Sequence, residues 1–341
     1  MKNFDQYTRN QQTSWRREHL ENQTPGEHNK KRYPFILPRK DWHYCLWEGI
    51  QASSSNPLVP YLNDNNIDHH TGVHNLRSSW ALCANLYFPF REDKALAANF
   101  LRKNVSADIV EVVDIQLEYA AAPPYDPKTL LGEPEGTRGK NQTSPDVAFI
   151  YKATDGKGGI VLVENKYIEH SFYPCSGRKP QYGNPDARRC LDFHAVHEDL
   201  NRQCYLRNWQ ATGRENRKYW DYITISETGK RILKKCPAAV AGYQLFRQQA
   251  LAEAFIRSGR FSQAISCVAY DVRNETLQGC LKTTGIESIE RWGDIFAGKA
   301  QFRTFTHQQW VQFIADNDST KRWRGWLEYI HARYQFPISN I

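Results

Sequence analysis

Residues 144–175 read SPDVAFIYKATDGKGGIVLVENKYIEHSFYPC. Two runs rich in Val, Ile, Phe and Tyr flank ATDGK, which carries the Asp-Gly chemistry of a tight turn. The pattern predicts a β-hairpin with strands buried on both faces. Yet an aspartate stands at its start, and VLVENKY sets a glutamate and a lysine two residues apart on the returning strand. Side chains alternate along a strand, so Glu164 and Lys166 share one face while Asn165 points to the other. With residues 153–157 as a five-residue loop, Lys152 pairs with Gly158 and Asp146 falls opposite Glu164. Their Cβ atoms would then lie about 4.5–5.5 Å apart. A one-residue slip would turn the strand over and part them.

Two carboxylates facing each other repel unless a cation lies between them. Oxygen ligands at that spacing suit Mg²⁺, which takes one or two carboxylates and keeps several waters. The carbonyl of Asn165 offers a third oxygen, and Lys166 could orient or deprotonate a water or steady charge on phosphorus. Such a group fits phosphodiester hydrolysis. The competing reading is a surface hairpin with solvated charges. Against it, the charges interrupt a run that otherwise looks buried, and buried charge is costly without a partner or a purpose.

The remaining chain sets bounds. It has 341 residues, 40% hydrophobic and 13% aromatic, enough for a globular core. No apolar run approaches the ~20 residues of a membrane span. MKNFDQYTRNQQTSWRRE has no signal-peptide core, so a cytoplasmic protein is expected. Its eight cysteines are then expected as thiols or metal ligands rather than disulfides. A net charge of +8 and a pI near 9.0 favour a polyanionic partner.

Residues 1–40 read as a polar, basic N-terminal arm, loosely attached or tracking a phosphate backbone. SSWALCANLYFPF predicts a helix capped by Ser78 or Ser79 and stopped by Pro89, and EDKALAANFLRKNV a second one. Residues 107–120 predict a strand. GYQLFRQQALAEAFIRSG predicts a helix closed at Gly259, FSQAISCVAYDV a strand, THQQWVQFIAD a helix with a Thr306/Gln309 capping box, and KRWRGWLEYIHARY a last helix. That order suggests one α/β domain around a mixed sheet.

Pro145-Asp146 followed by Glu164-Asn165-Lys166 resembles the PD-(D/E)XK nuclease superfamily. SSWALCANLYFPF and RGKNQTSPDVAF resemble a bacterial group of restriction endonucleases within it. The closer resemblance covers about residues 76–270; it implies an α/β fold, a restriction-endonuclease-like core with a central mixed β-sheet flanked by helices, and the nuclease-like domain is taken as 41–341. It implies Asp146 and Glu164 as metal ligands, to which the hairpin reading adds Asn165, Mg²⁺ (or Mn²⁺) as cofactor, and Lys166 as the catalytic lysine. Many members add a further glutamate; Glu92, Glu111 and Glu118 all compete, with Glu118 favoured for its place on the neighbouring strand.

Residues from about 170 to 238 form a basic insertion bearing Cys175, Cys190, Cys204 and Cys236. Without a CxxC pair, buried thiols are the first expectation there. Some superfamily relatives bind an iron–sulfur cluster through separated cysteines, which makes such a cluster or Zn²⁺ the alternative. Basic residues interleaved with Tyr182, Phe193, Tyr205, Trp209 and Trp220 suggest contact with DNA, against a small aromatic core. The functional expectation is therefore a metal-dependent DNA endonuclease acting in restriction or anti-phage defence, with DNA and either a second copy or other defence-system subunits as partners. The alternatives are a non-catalytic nucleic-acid-binding protein and an RNase of the same fold.

Overall fold

The computed structural model describes residues 4–52, 54–68, 71–180, 183–184, 186–212 and 215–339. A short antiparallel ribbon, β1 (Gly26–His28) and β2 (Lys31–Tyr33), precedes the main sheet. That sheet has five strands lying in chain order: β3 (Ile109–Leu117), β4 (Val147–Ala153), β5 (Gly158–Lys166), β6 (Gln263–Tyr270) and β7 (Gln301–Thr306). The first three are antiparallel neighbours, and β5, β6 and β7 run parallel. A parallel pair needs a crossover. Here the Tyr243–Arg257 helix supplies it and packs on β5 and β6.

The hairpin has the expected register. Lys152 pairs with Gly158 and Val147 with Val163. Gly156 takes φ +77°, the left-handed conformation that closes the loop. Strand alternation then feeds two cores. Val147, Phe149, Tyr151, Val161 and Val163 meet Leu86, Phe100 and Trp310 from helices on one side. Ala148, Ile160 and Leu162 meet Leu245, Leu251 and Phe255 of the crossover helix on the other. A mixed α/β fold with helices on both faces of a mixed sheet is a restriction-endonuclease-like core. No helix among the described residues is long and apolar enough to cross a membrane.

The helices at Ser79–Tyr87, Lys94–Asn104, His307–Asn317 and Arg324–Tyr334 lie where the sequence puts them. Ser78 accepts the Ala81 N–H as N-cap, and Thr306 with Gln309 forms the capping box. Pro89 does not end the chain's helical path. It opens a 3₁₀ turn, Phe88–Glu92, where its missing N–H costs nothing. Strand β7 went unforeseen, being short and at the sheet edge.

The arm expected over residues 1–40 is not loose within its described part. Phe4–His19 is a helix packed on Arg324–Tyr334. Arg16 is buried and donates to the carbonyls of Pro34, Ile36, Asn22 and Thr24. A basic composition there reflects, in part, a cation spent on capturing chain rather than phosphate. The insertion also differs from a base-stacking platform. Phe193, Tyr205 and Trp220 are buried in the core on the crossover-helix side of the sheet, where the Trp220 and Phe246 ring centres lie 4.9 Å apart. Tyr182 and the side chain of Trp209 lie outside the described residues.

Candidate active site

Continuing the β4–β5 register by one residue sets Asp146 opposite Glu164. Asp146, Glu164 and Lys166 occupy the face that carries Ala148, Ile160 and Leu162. Glu164 and Lys166 are buried and paired, Nζ to Oε1 at 2.8 Å. Asp146 is half-buried, which leaves the pair a way to solvent. One Asp146 oxygen accepts the backbone N–H of Asn165 at 2.6 Å, a short bond that fixes the carboxylate against the second strand. Phe172 and Tyr173 wall the lysine, their ring centres 5.9 and 5.6 Å from Nζ.

The three competing glutamates separate clearly. Glu92 is at the surface with Ser55 and Arg322, and Glu111 pairs with Lys152 in solvent. Glu118 is buried beside the site, in the left-handed conformation at φ +46° just past the end of β3. Its N–H donates to the Asp146 carbonyl at 2.9 Å, tying β3 to the lead-in of β4. Arg138 holds the same corner by donating to the carbonyls of Leu117 and Glu118. A Cβ on Gly139 (φ +81°) would come within 3.2 Å of the Glu118 carboxyl carbon, so glycine there gives the side chain room.

The electrostatics of this corner are unbalanced. Burial, then the charges of Asp146 and Glu164, push the Glu118 carboxyl well above its usual range, and Arg138 and Lys166 offset this only in part. Burial and Glu164 likewise push Asp146 up, against Lys166 and the Asn165 N–H. Burial disfavours the charged form of Lys166, but Glu164, Glu169 and Asp146 outweigh it and raise the amine above its ordinary value. Lys166 therefore holds its proton at neutral pH in this arrangement.

Asn165 lies where alternation puts it, on the opposite face. Its amide donates to the Ser79 carbonyl at 2.9 Å and its oxygen meets His307 Nε2 at 2.9 Å. The side chain is thus engaged away from the two acids. Only its main-chain carbonyl is left as a third oxygen. Among the described residues, no group of three or more His, Cys, Asp and Glu side chains is already arranged to hold a metal ion.

The profile of one protein family, described as restriction endonuclease associating with ARP, matches residues 9–335. The chain belongs to that family. No curated protein and no solved structure matches it. The match of this restriction-endonuclease family takes in the hairpin, the insertion and the helix at Phe4–His19 from residue 9 onward.

Several polar residues of this restriction-endonuclease family member were not singled out from sequence. Glu169 accepts from Ser79 Oγ and the Tyr167 N–H and adds negative charge near Lys166. On the crossover helix, Gln248 reaches the Leu162 carbonyl at 3.1 Å and Ser266 Oγ at 3.0 Å, bracing β5 against β6. The adjacent Arg247 pairs with buried Glu133 at 3.1 Å, and Glu133 also accepts from Thr143 and Tyr219. That network anchors the loop leading into Asp146. Its trace in the sequence is a polar stripe, Gln244, Arg247 and Gln248, beside apolar Leu245, Phe246 and Leu251 on the same helix.

Proposed function

We propose that the chain is a divalent-metal-dependent endonuclease of the PD-(D/E)XK type that hydrolyses DNA in restriction or anti-phage defence. The reading rests on one observation above all: Asp146, Glu164 and Lys166 share a face and a corner, with Glu118 beside them. Three buried or half-buried acids against one lysine and one arginine leave negative charge that a hard cation would neutralise. The donor set fits Mg²⁺ or Mn²⁺. Asp146, Glu164 and the main-chain carbonyl of Asn165 would hold it, with Glu118 as a further carboxylate. When bound, such an ion supplies charge that polarises a phosphate oxygen and acidifies water.

The chain's own residues do the remaining work. The Asn165 N–H keeps Asp146 turned toward Glu164. The Lys166 ammonium would donate to a phosphate oxygen while water attacks phosphorus, the P–O bond to the leaving strand breaks and the proton of the attacking water passes to solvent. Exposed basic side chains of the insertion, Arg188 among them, would hold the backbone. The family description adds a protein partner, ARP, to DNA.

Incubating supercoiled plasmid with wild type, with wild type plus EDTA, and with Asp146→Asn tests this. Nicking that needs Mg²⁺ and disappears in Asp146→Asn is expected. Undiminished nicking by the variant would overturn the site. DNA retardation without cleavage under any divalent ion would make the chain a binding protein instead, and RNA offered alongside separates a ribonuclease.

A further inference from the structure

The aromatic residues of the insertion that the sequence set against DNA are buried where they are described; the exposed one lies at its start. Tyr173 is 49% exposed, whereas its neighbour Phe172 is wholly buried. Among the described residues, only Tyr44 is a Phe, Tyr or Trp left comparably open. A single exposed ring needs no explanation in itself. What sets Tyr173 apart is its backbone and its surroundings.

Tyr173 has φ +57°, and it is the one aromatic among the described non-glycine residues with positive φ. That conformation is unfavourable for a bulky side chain. Pro174 follows, and a residue before proline is pushed toward extended backbone with φ of about −120°. The frame imposes the strain. The Phe172 N–H donates to the Ala241 carbonyl at 2.8 Å, the Phe172 carbonyl accepts the Gln244 N–H at 3.0 Å, and the Tyr173 carbonyl accepts the Tyr243 N–H at 3.1 Å. The Tyr173 N–H donates to Ser171 Oγ at 3.3 Å. The segment is laced to the entry of the crossover helix, with one ring in the core and the next in solvent. Strained residues held this way concentrate where a ligand binds. Glu118, at φ +46°, is the other one at this corner.

The outward ring stands next to the charged group. Its centre is 5.6 Å from Lys166 Nζ, and the charges of Lys166, Glu169, Glu164 and Asp146 all act on its phenol. Phe172 already lies 5.9 Å from the same nitrogen. Covering the ammonium therefore does not require a second ring held against its preferred backbone. An aromatic face beside the lysine that meets a phosphate can reach only the sugar or base flanking that phosphate. A sugar offers little flat surface, whereas any base can stack on tyrosine. In an intact duplex neighbouring pairs cover the base faces; in a single strand they are open.

We infer that Tyr173 stacks on an unpaired base beside the phosphate presented to Lys166, and that the substrate of this site is single-stranded DNA. The inference rests on the nuclease reading of the Asp146, Glu164 and Lys166 corner, and adds the strand form, which those three residues do not set.

An oligodeoxythymidylate carrying 5-iododeoxyuridine tests it, beside the same strand annealed to its complement. With Ca²⁺ in place of Mg²⁺, binding is read apart from cleavage. Wild type should bind the single strand more tightly, and irradiation should cross-link it at Tyr173. Tyr173→Leu keeps apolar bulk without a stacking face, and should lose about 10–100-fold in affinity for the single strand and little for the duplex. Tyr173→Phe should bind as wild type does. Undiminished single-strand binding by Tyr173→Leu, or tighter wild-type binding to the duplex with no cross-link at Tyr173, would overturn the inference. Cleavage with Mg²⁺ separates the two readings. Cutting by wild type alongside binding that ignores Tyr173 sinks the stacking role alone; binding that needs Tyr173 without any cutting sinks the nuclease reading alone. Failure to bind either strand form sinks both.

Discussion

Consecutive residues of β5 build two opposite environments. On one face Asn165 is satisfied on both ends, by Ser79 and His307, within an aromatic core that includes Trp310 and Phe305. On the other, Glu164 and Lys166 satisfy each other while Asp146 and Glu118 press negative charge on the same corner. The first face is polar and balanced; the second is polar and strained. A buried group without compensation is costly, so such imbalance is retained where something else binds. The difference puts the uncompensated charge on one side of a single strand.

The largest effect expected from this contrast is on catalysis. Lys166→Gln keeps a donor for Glu164 but removes the charge, so the fold should survive. Loss of one preorganised donor to the reacting phosphate lowers cleavage by about 10²–10³-fold. Plasmid nicking rates with Mg²⁺ measure it. A variant that cuts as fast as wild type would mean that the lysine serves only to neutralise Glu164.

On the balanced face the effect is on stability, and it depends on pH. Burial holds the His307 imidazole down to about 4, from 6.5. A base whose folded pKa is depressed contributes stability that is complete above its unfolded value. That contribution is lost as pH falls through the window between 6.5 and about 4. The loss amounts to about 3 kcal/mol at the acid end. Urea denaturation at pH 7 and pH 4.5 should show it, and His307→Gln should flatten the slope. Asn165→Ala removes the partner of His307 and of the Ser79 carbonyl together, costing roughly 2 kcal/mol at pH 7. If neither variant moves the midpoint, the face is not held by this bridge.

Much of this was legible beforehand. The hairpin followed from two apolar runs around Asp-Gly, whereas its register stayed open between an odd and an even loop until Lys152 was seen to face Gly158. Helix ends followed from Ser78, Thr306 and Gly259. What stayed hidden depends on distant contacts. Nothing local to Arg16 says that it will bind four carbonyls, and nothing local to Glu118 says that Gly139 makes room for it. The four cysteines of the insertion were grouped from sequence, but without CxxC spacing nothing local said that they would line one cavity.

The smallest effect expected is the one that separates strain from mere burial at the acid corner. Glu118 and Asp146 have folded pKa values raised by burial and mutual repulsion. A group raised in the folded state favours folding below its unfolded pKa and loses that advantage as pH rises through the folded value. Metal-free protein should therefore weaken as pH climbs above the ordinary carboxylate range, opposite in sign to the His307 limb. Mg²⁺ should counter the loss, more so at higher pH, because it competes with protons for the same oxygens. Glu118→Gln removes one of the repelling charges, so its unfolding midpoint in EDTA should depend less on pH than that of wild type. Its Mg²⁺-induced stabilisation should also be smaller. A variant whose midpoint follows wild type with and without Mg²⁺ would place Glu118 outside the site, leaving the metal to Asp146 and Glu164.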